Sequence, residues 1–256
     1  MRALARATIR QGVKRRAPAK NGLHQTSRQA NVAETGLERP LRNVSSLRRS
    51  MDSKAPTPPT VLTTARLRLR HWRASDRAPF ALLNAKLAVM EYLPGALSQV
   101  ENDALIDRIE AHFARHGFGL WAVEIPNVTP FAGFMGLTVP RFDAHFTPCV
   151  EIGWRLDEPY WGHGYATEGA RAVATFGFDV LQLDEILSFT VPSNARSRRV
   201  MEKIGMTHTS VDDFDHPAFP PGHRLRRHVL YRLDGGALHN SGLQQTLPSL
   251  RSGPAR

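Results

Sequence analysis

A chain of 256 residues with 41% hydrophobic content is long enough for one domain or two small ones and can bury an ordinary core. Its net charge of +11 sits at one end: residues 1–50 carry 12 Lys and Arg against 2 acids, and residues 51–256 carry 22 against 21. The body thus lacks the basic excess of a nucleic-acid-binding domain, the single Cys149 excludes an intramolecular disulfide, and no apolar run predicts a transmembrane helix.

Residues 1–58 read as a disordered basic extension, because Arg, Ser, Ala and Asn dominate and no apolar period is sustained. Three readings of its start stand open: an organellar transit peptide over the acid-free Met1–Lys20, a plain extension, or translation from Met51. The folded domain is expected over 60–235, and a flexible Ser/Gly/Pro-rich tail over 236–256.

The alternation of Leu67 and Leu69 with Arg66, Arg68 and Arg70 predicts one strand over Leu62–His71. Ser75 is expected to cap a first helix. Ser98 and Glu101 form a capping-box pattern before a helix carrying Leu105, Ile109 and Phe113. Strands follow at Gly119–Ile125, Phe131–Val139 and Cys149–Leu156. A helix over Tyr165–Leu181 turns Ala166, Ala170, Val173, Ala174 and Gly177 inward. A strand at Glu185–Val191, a helix at Asn194–Ile204 ended by Gly205, and a strand at Val229–Leu233 complete an α/β domain with a mixed sheet.

The most informative stretch joins a strand to a helix: Trp161-Gly-His-Gly-Tyr-Ala-Thr-Glu168. Small residues at 162, 164 and 166 let a ligand approach the backbone, and the first amides of the helix suit a phosphate. No Gly-Lys-Ser/Thr follows, so this is not a Walker loop, and Thr167 stands where a dinucleotide fingerprint needs its third small residue. Alone, the pattern equally fits a tight strand-to-helix turn.

Three ordered segments add context. Cys149-Val-Glu-Ile-Gly-Trp-Arg-Leu with Tyr160-Trp-Gly-His-Gly-Tyr-Ala-Thr-Glu-Gly resembles the acetyl-CoA-binding motif of GNAT N-acetyltransferases. Asn194-Ala-Arg-Ser-Arg-Arg-Val-Met-Glu-Lys-Ile-Gly-Met looks like that family's next helix. Asp213-Phe-Asp-His-Pro, Arg227-His-Val-Leu-Tyr231 and the opening Leu62-Thr-Thr-Ala-Arg-Leu-Arg-Leu-Arg are similar to its branch acting on ribosomal-protein N-termini, the RimJ/RimL type. The resemblance implies a mostly antiparallel mixed sheet, splayed between its fourth and fifth strands and flanked by about four helices. It also implies transfer of an acetyl group from acetyl-CoA to a primary amine, on a protein N-terminus or a small molecule, by direct attack in a ternary complex.

By the same resemblance, Gly162, His163, Gly164, Tyr165, Ala166 and Thr167 hold the pyrophosphate, with Trp161 departing from the family's Gln or Arg. Ile152, Gly153 and Trp154 offer a strand edge to the pantetheine, which Asn194 also meets. Glu151 is the candidate general base, or else a strand-edge carboxylate paired with Arg155 or Arg171. Met201 stands where many members have an acidic Tyr. Ser197 is the nearest hydroxyl for the leaving thiolate, or else simply part of the helix start. His216, His223 and His228 match no zinc spacing, so no metal is expected, and they should line the acceptor loop or the surface. Partners are acetyl-CoA and an amine acceptor, without membrane or nucleic acid, in a cytoplasmic monomer or homodimer. The alternative is a GNAT fold that binds acyl-CoA as a non-catalytic regulator; a third reading uses the basic tail on nucleic acid.

Overall fold

A computed structural model of the chain describes residues 61–236. The expected basic extension and, from residue 237, the expected tail lie outside these residues. The region predicted as one strand is a hairpin. β1 (Val61–Thr63) and β2 (Arg68–Arg70) pair antiparallel, with Leu62 opposite Leu69. The Thr64 side chain makes the turn by accepting from Leu67 N–H at 2.9 Å. Leu67 and Leu69 are buried as expected, but Arg70 is buried too. Its guanidinium donates to both oxygens of Asp76 at 2.7 and 2.9 Å, and to Glu124 at 2.9 Å. Burial opposes its charge, and these carboxylates outweigh burial and raise its pKa.

Asp76 also accepts from Arg73 N–H at 2.7 Å. Asp76, rather than Ser75, therefore fixes the entry to α1 (Arg77–Asn84). The short α2 (Leu87–Met90) has no periodic signal long enough to read. α3 (Gln99–His116) carries the expected capping box: Ser98 N–H donates to Glu101 at 2.8 Å, and Glu101 N–H donates to Ser98 Oγ at 3.3 Å.

β3 (Leu120–Ile125), β4 (Thr129–Thr138) and β5 (Glu151–Leu156) continue the antiparallel sheet. α4 (Tyr165–Asp179) then packs on β4 and β5, burying Ala170, Val173, Ala174 and Gly177. Ala166 is only partly buried. β6 (Glu185–Thr190), α5 (Ala195–Lys203) and β9 (Arg227–Asp234) match the remaining expectations to within two residues. Between them lie two unforeseen two-residue strands, β7 (Thr207–His208) and β8 (Phe214–Asp215), too short for any alternation to show. The sheet order is β1-β2-β3-β4-β5-β6-β9-β7, with β8 also on β9.

All pairs are antiparallel except β5 with β6, which share a single bridge, Glu151 with Leu187. The ladders on either side, β4 with β5 and β6 with β9, each hold six pairs. These two strands are the fourth and fifth of the sequence reading, once its first strand is counted as one.

Replacing Asp76 by Ala should cost about 3–5 kcal/mol, because it leaves a buried guanidinium without its bidentate partner. Urea unfolding measures this, and a loss below about 1 kcal/mol would show that Glu124 alone suffices.

Candidate active site

The single bridge between β5 and β6 has a local cause. Leu187 N–H donates to Val150 O at 2.9 Å, and the Ser188 hydroxyl then takes the carbonyl of Ile152 at 2.9 Å. That side-chain bond goes to the carbonyl that a next ladder step would use, and no backbone donor of β6 pairs with it. By strand alternation, the N–H and C=O of Trp154 point the same way as those of Ile152, and no β6 residue pairs with them. β5 therefore presents a peptide edge without a partner strand. Ser188 was not singled out in the sequence, although a lone hydroxyl in the apolar run Ile186-Leu187-Ser188-Phe189 was a visible signal.

The glycine turn stands at the end of the same strand. Gly162 and Gly164 have φ of +77° and +82°, left-handed values that other residues adopt at a cost. A Cβ built on Gly162 meets nothing within 4 Å, and one on Gly164 meets only an Arg66 nitrogen at 3.4 Å. The space before the first turn of α4 is thus open, and Gly162, His163 and Gly164 are exposed. Unpaired helix amides facing open space suit an anion.

A clamp missed in the sequence holds this turn. Glu168, in the first turn of α4, accepts from Thr64 Oγ1 at 2.6 Å, Arg66 N–H at 2.9 Å and Arg66 Nε at 2.7 Å. Burial alone would raise its pKa, but these bonds outweigh burial and lower it. Arg66 also donates to His163 O at 3.0 Å and lies 4.7 Å over the Tyr165 ring. The β1–β2 hairpin thereby braces the loop with a cation at its mouth. In the sequence, Arg66 was read only as the outer face of a strand.

The other candidates can be placed in turn. Asn194 caps α5 by accepting from Ser197 N–H at 3.2 Å and donates to Thr190 Oγ1 at 3.0 Å. Ser197 is partly buried, and its hydroxyl has no protein partner among the described residues. Met201 is not at the groove: it is buried in the core. Trp154 and Tyr165 pack against that core, while Ala166 and Thr167 lie in the first turn of α4. Trp161, at the departed position, donates to Leu156 O at 2.7 Å and carries Arg196 4.5 Å over its ring.

Glu151 starts β5 and is itself the bridge residue opposite Leu187. Neither expected cation pairs with it: Arg155 donates to Asn84 at 2.6 Å, and Arg171 donates to Lys203 O at 2.8 Å. Its carboxyl has no protein hydrogen bond among the described residues, and burial pushes it up to about 8. It stays partly open to solvent. A carboxyl poised near neutrality at the bridge, next to the unpaired stretch of β5, can take a proton from an incoming group.

On the same flank, Phe142, Phe146, Phe189, Phe214, His216 and His228 form one ring cluster. Burial holds His228 at about 4 and lowers His216, so both are neutral at pH 7. His223 stacks on Phe219 with ring centres 4.9 Å apart. No group of three or more His, Cys, Asp or Glu among the described residues could hold a metal.

Glu151→Gln should stabilise the protein at alkaline pH. The unfolded carboxyl ionises near 4.5 and the folded one near 8, so the native chain loses stability as pH rises between those values. His228 and His116, both at about 4, act oppositely and lose stability as pH falls from 6.5 to 4. Their effect cancels in a difference between the two proteins. The melting temperature of the variant should exceed wild type above pH 8, by roughly 2–4 °C for each kcal/mol of this linkage, and match it below pH 4.5. Equal melting temperatures throughout would contradict a desolvated carboxyl.

Comparison with known proteins accords with this geometry. Residues 66–207 match the model of an acetyltransferase (GNAT) domain family. The chain is 32% identical to the uncharacterized protein YkkB of Bacillus subtilis over 148 residues, 57% of this chain and 85% of that one. It is 41% identical to the FsC-acetyl coenzyme A-N(2)-transacetylase of Aspergillus fumigatus over 112 residues, 41% of this chain and about half, 46%, of that protein. The crystal structure of a GNAT-family acetyltransferase from Bacillus anthracis superposes with a TM-score of 0.57 at 25% identity, covering 69% of this chain and 99% of that one. The chain belongs to the GNAT acetyltransferase family and is an acetyl-CoA-dependent acyltransferase.

Proposed function

We propose that the chain transfers acetyl from acetyl-CoA to a primary amine at the opening between β5 and β6, with Glu151 as general base. The observation that carries this reading is an unpaired carboxyl held near pH 8 beside an unpaired strand edge. The pyrophosphate takes the amides from Gly162 to Thr167, with Arg66 supplying charge. The pantetheine runs as an added strand along Ile152–Trp154 and meets Asn194. The amine nitrogen attacks the thioester carbonyl carbon, its proton passes to Glu151, the C–S bond breaks, and CoA leaves as thiolate. Ser197, whose hydroxyl has no protein partner among the described residues, hydrogen-bonds that sulfur in this reading. A thiolate whose parent thiol has a pKa near 8.5 departs without a strong acid, so Met201 in the Tyr place does not forbid turnover.

The acceptor end is the ring cluster and the 213–228 loop, where the likeness to the N-terminal-acetylating branch also lies. Cys149 is the chain's single cysteine and is buried, with its thiol pushed up to about 12 by desolvation, and one cysteine suits a reducing compartment, which we take as the cytoplasm. Among the described residues no helix is long and apolar enough to cross a membrane. A second reading, a non-catalytic acyl-CoA-binding regulator, is favoured by the buried Met201, which removes the family's acid from the groove.

Thiol release with a panel of amines separates the two readings: turnover supports transfer, and binding without turnover supports the regulator. Gly164→Glu should abolish acetyl-CoA binding in calorimetry, since a carboxylate would enter the open phosphate site. Glu151→Gln should keep that binding and lower kcat about 10²–10⁴-fold. With an acceptor amine whose own pKa lies well below 7, wild-type kcat/KM should still rise through about pH 8, and the variant should lack that limb. Met201→Tyr should destabilise the fold by about 1–3 kcal/mol by overpacking rather than raise the rate.

A further inference from the structure

Three arginines can be compared, Arg70 buried and Arg155 and Arg232 half-buried. Arg70 holds Asp76 and Glu124, and Arg232 holds Glu185 and Asp212 at 2.9 Å each. Arg155 has no carboxylate among the described residues. Its Nη1 donates to Asn84 Oδ1 at 2.6 Å, and its guanidinium carbon lies 5.1 Å over the Phe134 ring. Its Nε and Nη2 have no protein partner among the described residues. Neither is a fully enclosed orphan, unlike Nε of Arg171, so both keep some contact with solvent.

The surroundings fix this arrangement. Asn84, fully buried, gives its own amide hydrogen to Asn102 at 2.6 Å, and Asn102 donates to Leu97 O and Ser98 O. Arg155 is therefore held by a chain of neutral amides that supplies no charge. The acid nearest in sequence on the same face, Asp157, is taken by Lys86 at 2.7 and 2.8 Å. Desolvation without a counter-ion lowers the Arg155 pKa to about 10, whereas Arg70 and Arg232 are raised. A buried cation without its anion is costly, and an anionic ligand removes that cost.

Arg155 also shares a strand face with Glu151. The two Cα atoms are four extended residues apart, about 13 Å, with Gly153 midway. A Cβ on Gly153 would meet nothing within 4 Å. One face of β5 thus carries an unpaired carboxyl, an open floor and an unpaired guanidinium. We propose that Arg155 binds a carboxylate of the acceptor, so that the preferred substrate is an amine that also carries an acid group, its nitrogen at Glu151 and its carboxylate at Arg155. This rests on the acetyl-transfer reading above and names its substrate class.

The test is the ratio of kcat/KM for paired acceptors that differ only in charge. β-Alanine, γ-aminobutyrate and ε-aminocaproate are compared with their amides. Short peptides with Glu or Gln after the first residue form a second arm, which tells a free amino acid from an acidic peptide as the source of the carboxylate. Wild type should favour the acid member of at least one pair by about 10–100-fold, the range of a charge-assisted hydrogen-bonded contact. Arg155→Met should bring that ratio close to one while still binding acetyl-CoA, and Arg155→Lys should restore part of it. If the Met variant does not fold, wild type still decides: butyrate should compete against the favoured acid acceptor, and butyramide should not. Transfer with ratios near one in every pair, or a ratio that survives Arg155→Met, overturns the carboxylate site and leaves acetyl transfer standing. No transfer to any amine overturns both.

Discussion

The site depends on one interruption in a backbone ladder. β4 with β5 and β6 with β9 are fully paired, yet β5 and β6 share one bridge and then part. Hydrogen-bonding groups of a strand do not stay idle inside a protein without a reason. Here the Ser188 hydroxyl, and no backbone donor of β6, takes Ile152 O, and the peptide of Trp154 beyond it has no partner on β6. The pantetheine arm proposed for this edge carries two amides, the chemistry that an unpaired strand peptide can bond. The parallel bridge itself is marginal, and the long ladders on both sides keep the opening from spreading.

Around this opening, charge is distributed unequally. Arg70, buried, and Arg232, half-buried, each hold two acids and serve the fold. Arg66 is spent on Glu168 and the carbonyl of His163, which stiffens the glycine turn. Glu151 and Arg155 have no ion pair among the described residues, and desolvation brings their pKa values toward each other, to about 8 and about 10. Unpaired charges cost stability, and a protein keeps them where a ligand completes them. Both stand on one strand whose flanks are fixed by full pairing to β4, so their positions do not rest on mobile loops.

Much of this was legible in the sequence because it is local. Ser98 with Glu101 three residues on, Gly205 after a helical period, and the inward row Ala170, Val173, Ala174 and Gly177 each need only a few neighbours to be read. The glycine turn was legible for the same reason: small residues before a helix start have few other uses. What was not legible is what distant residues decide. The hairpin at Thr64–Leu67 looked like one strand, since its alternation continues across the turn. Asp76 displaced Ser75 because Arg70 needed a buried partner. Whether Glu151 paired with Arg155 or Arg171 turned on Asn84 and Lys203, more than thirty residues away from either arginine. The clamp of Arg66 on Glu168 spans 102 residues and left no trace in local pattern.

The central claim is that β5 keeps a free edge which acetyl-CoA completes. Hydrogen exchange at the Trp154 amide measures this directly, with and without saturating acetyl-CoA. The amide should exchange rapidly in the free protein, in contrast to its neighbours Gly153 and Arg155 on the β4 side, and should become strongly protected when acetyl-CoA binds. An amide already protected in the free protein, or one whose exchange acetyl-CoA leaves unchanged, would contradict the account.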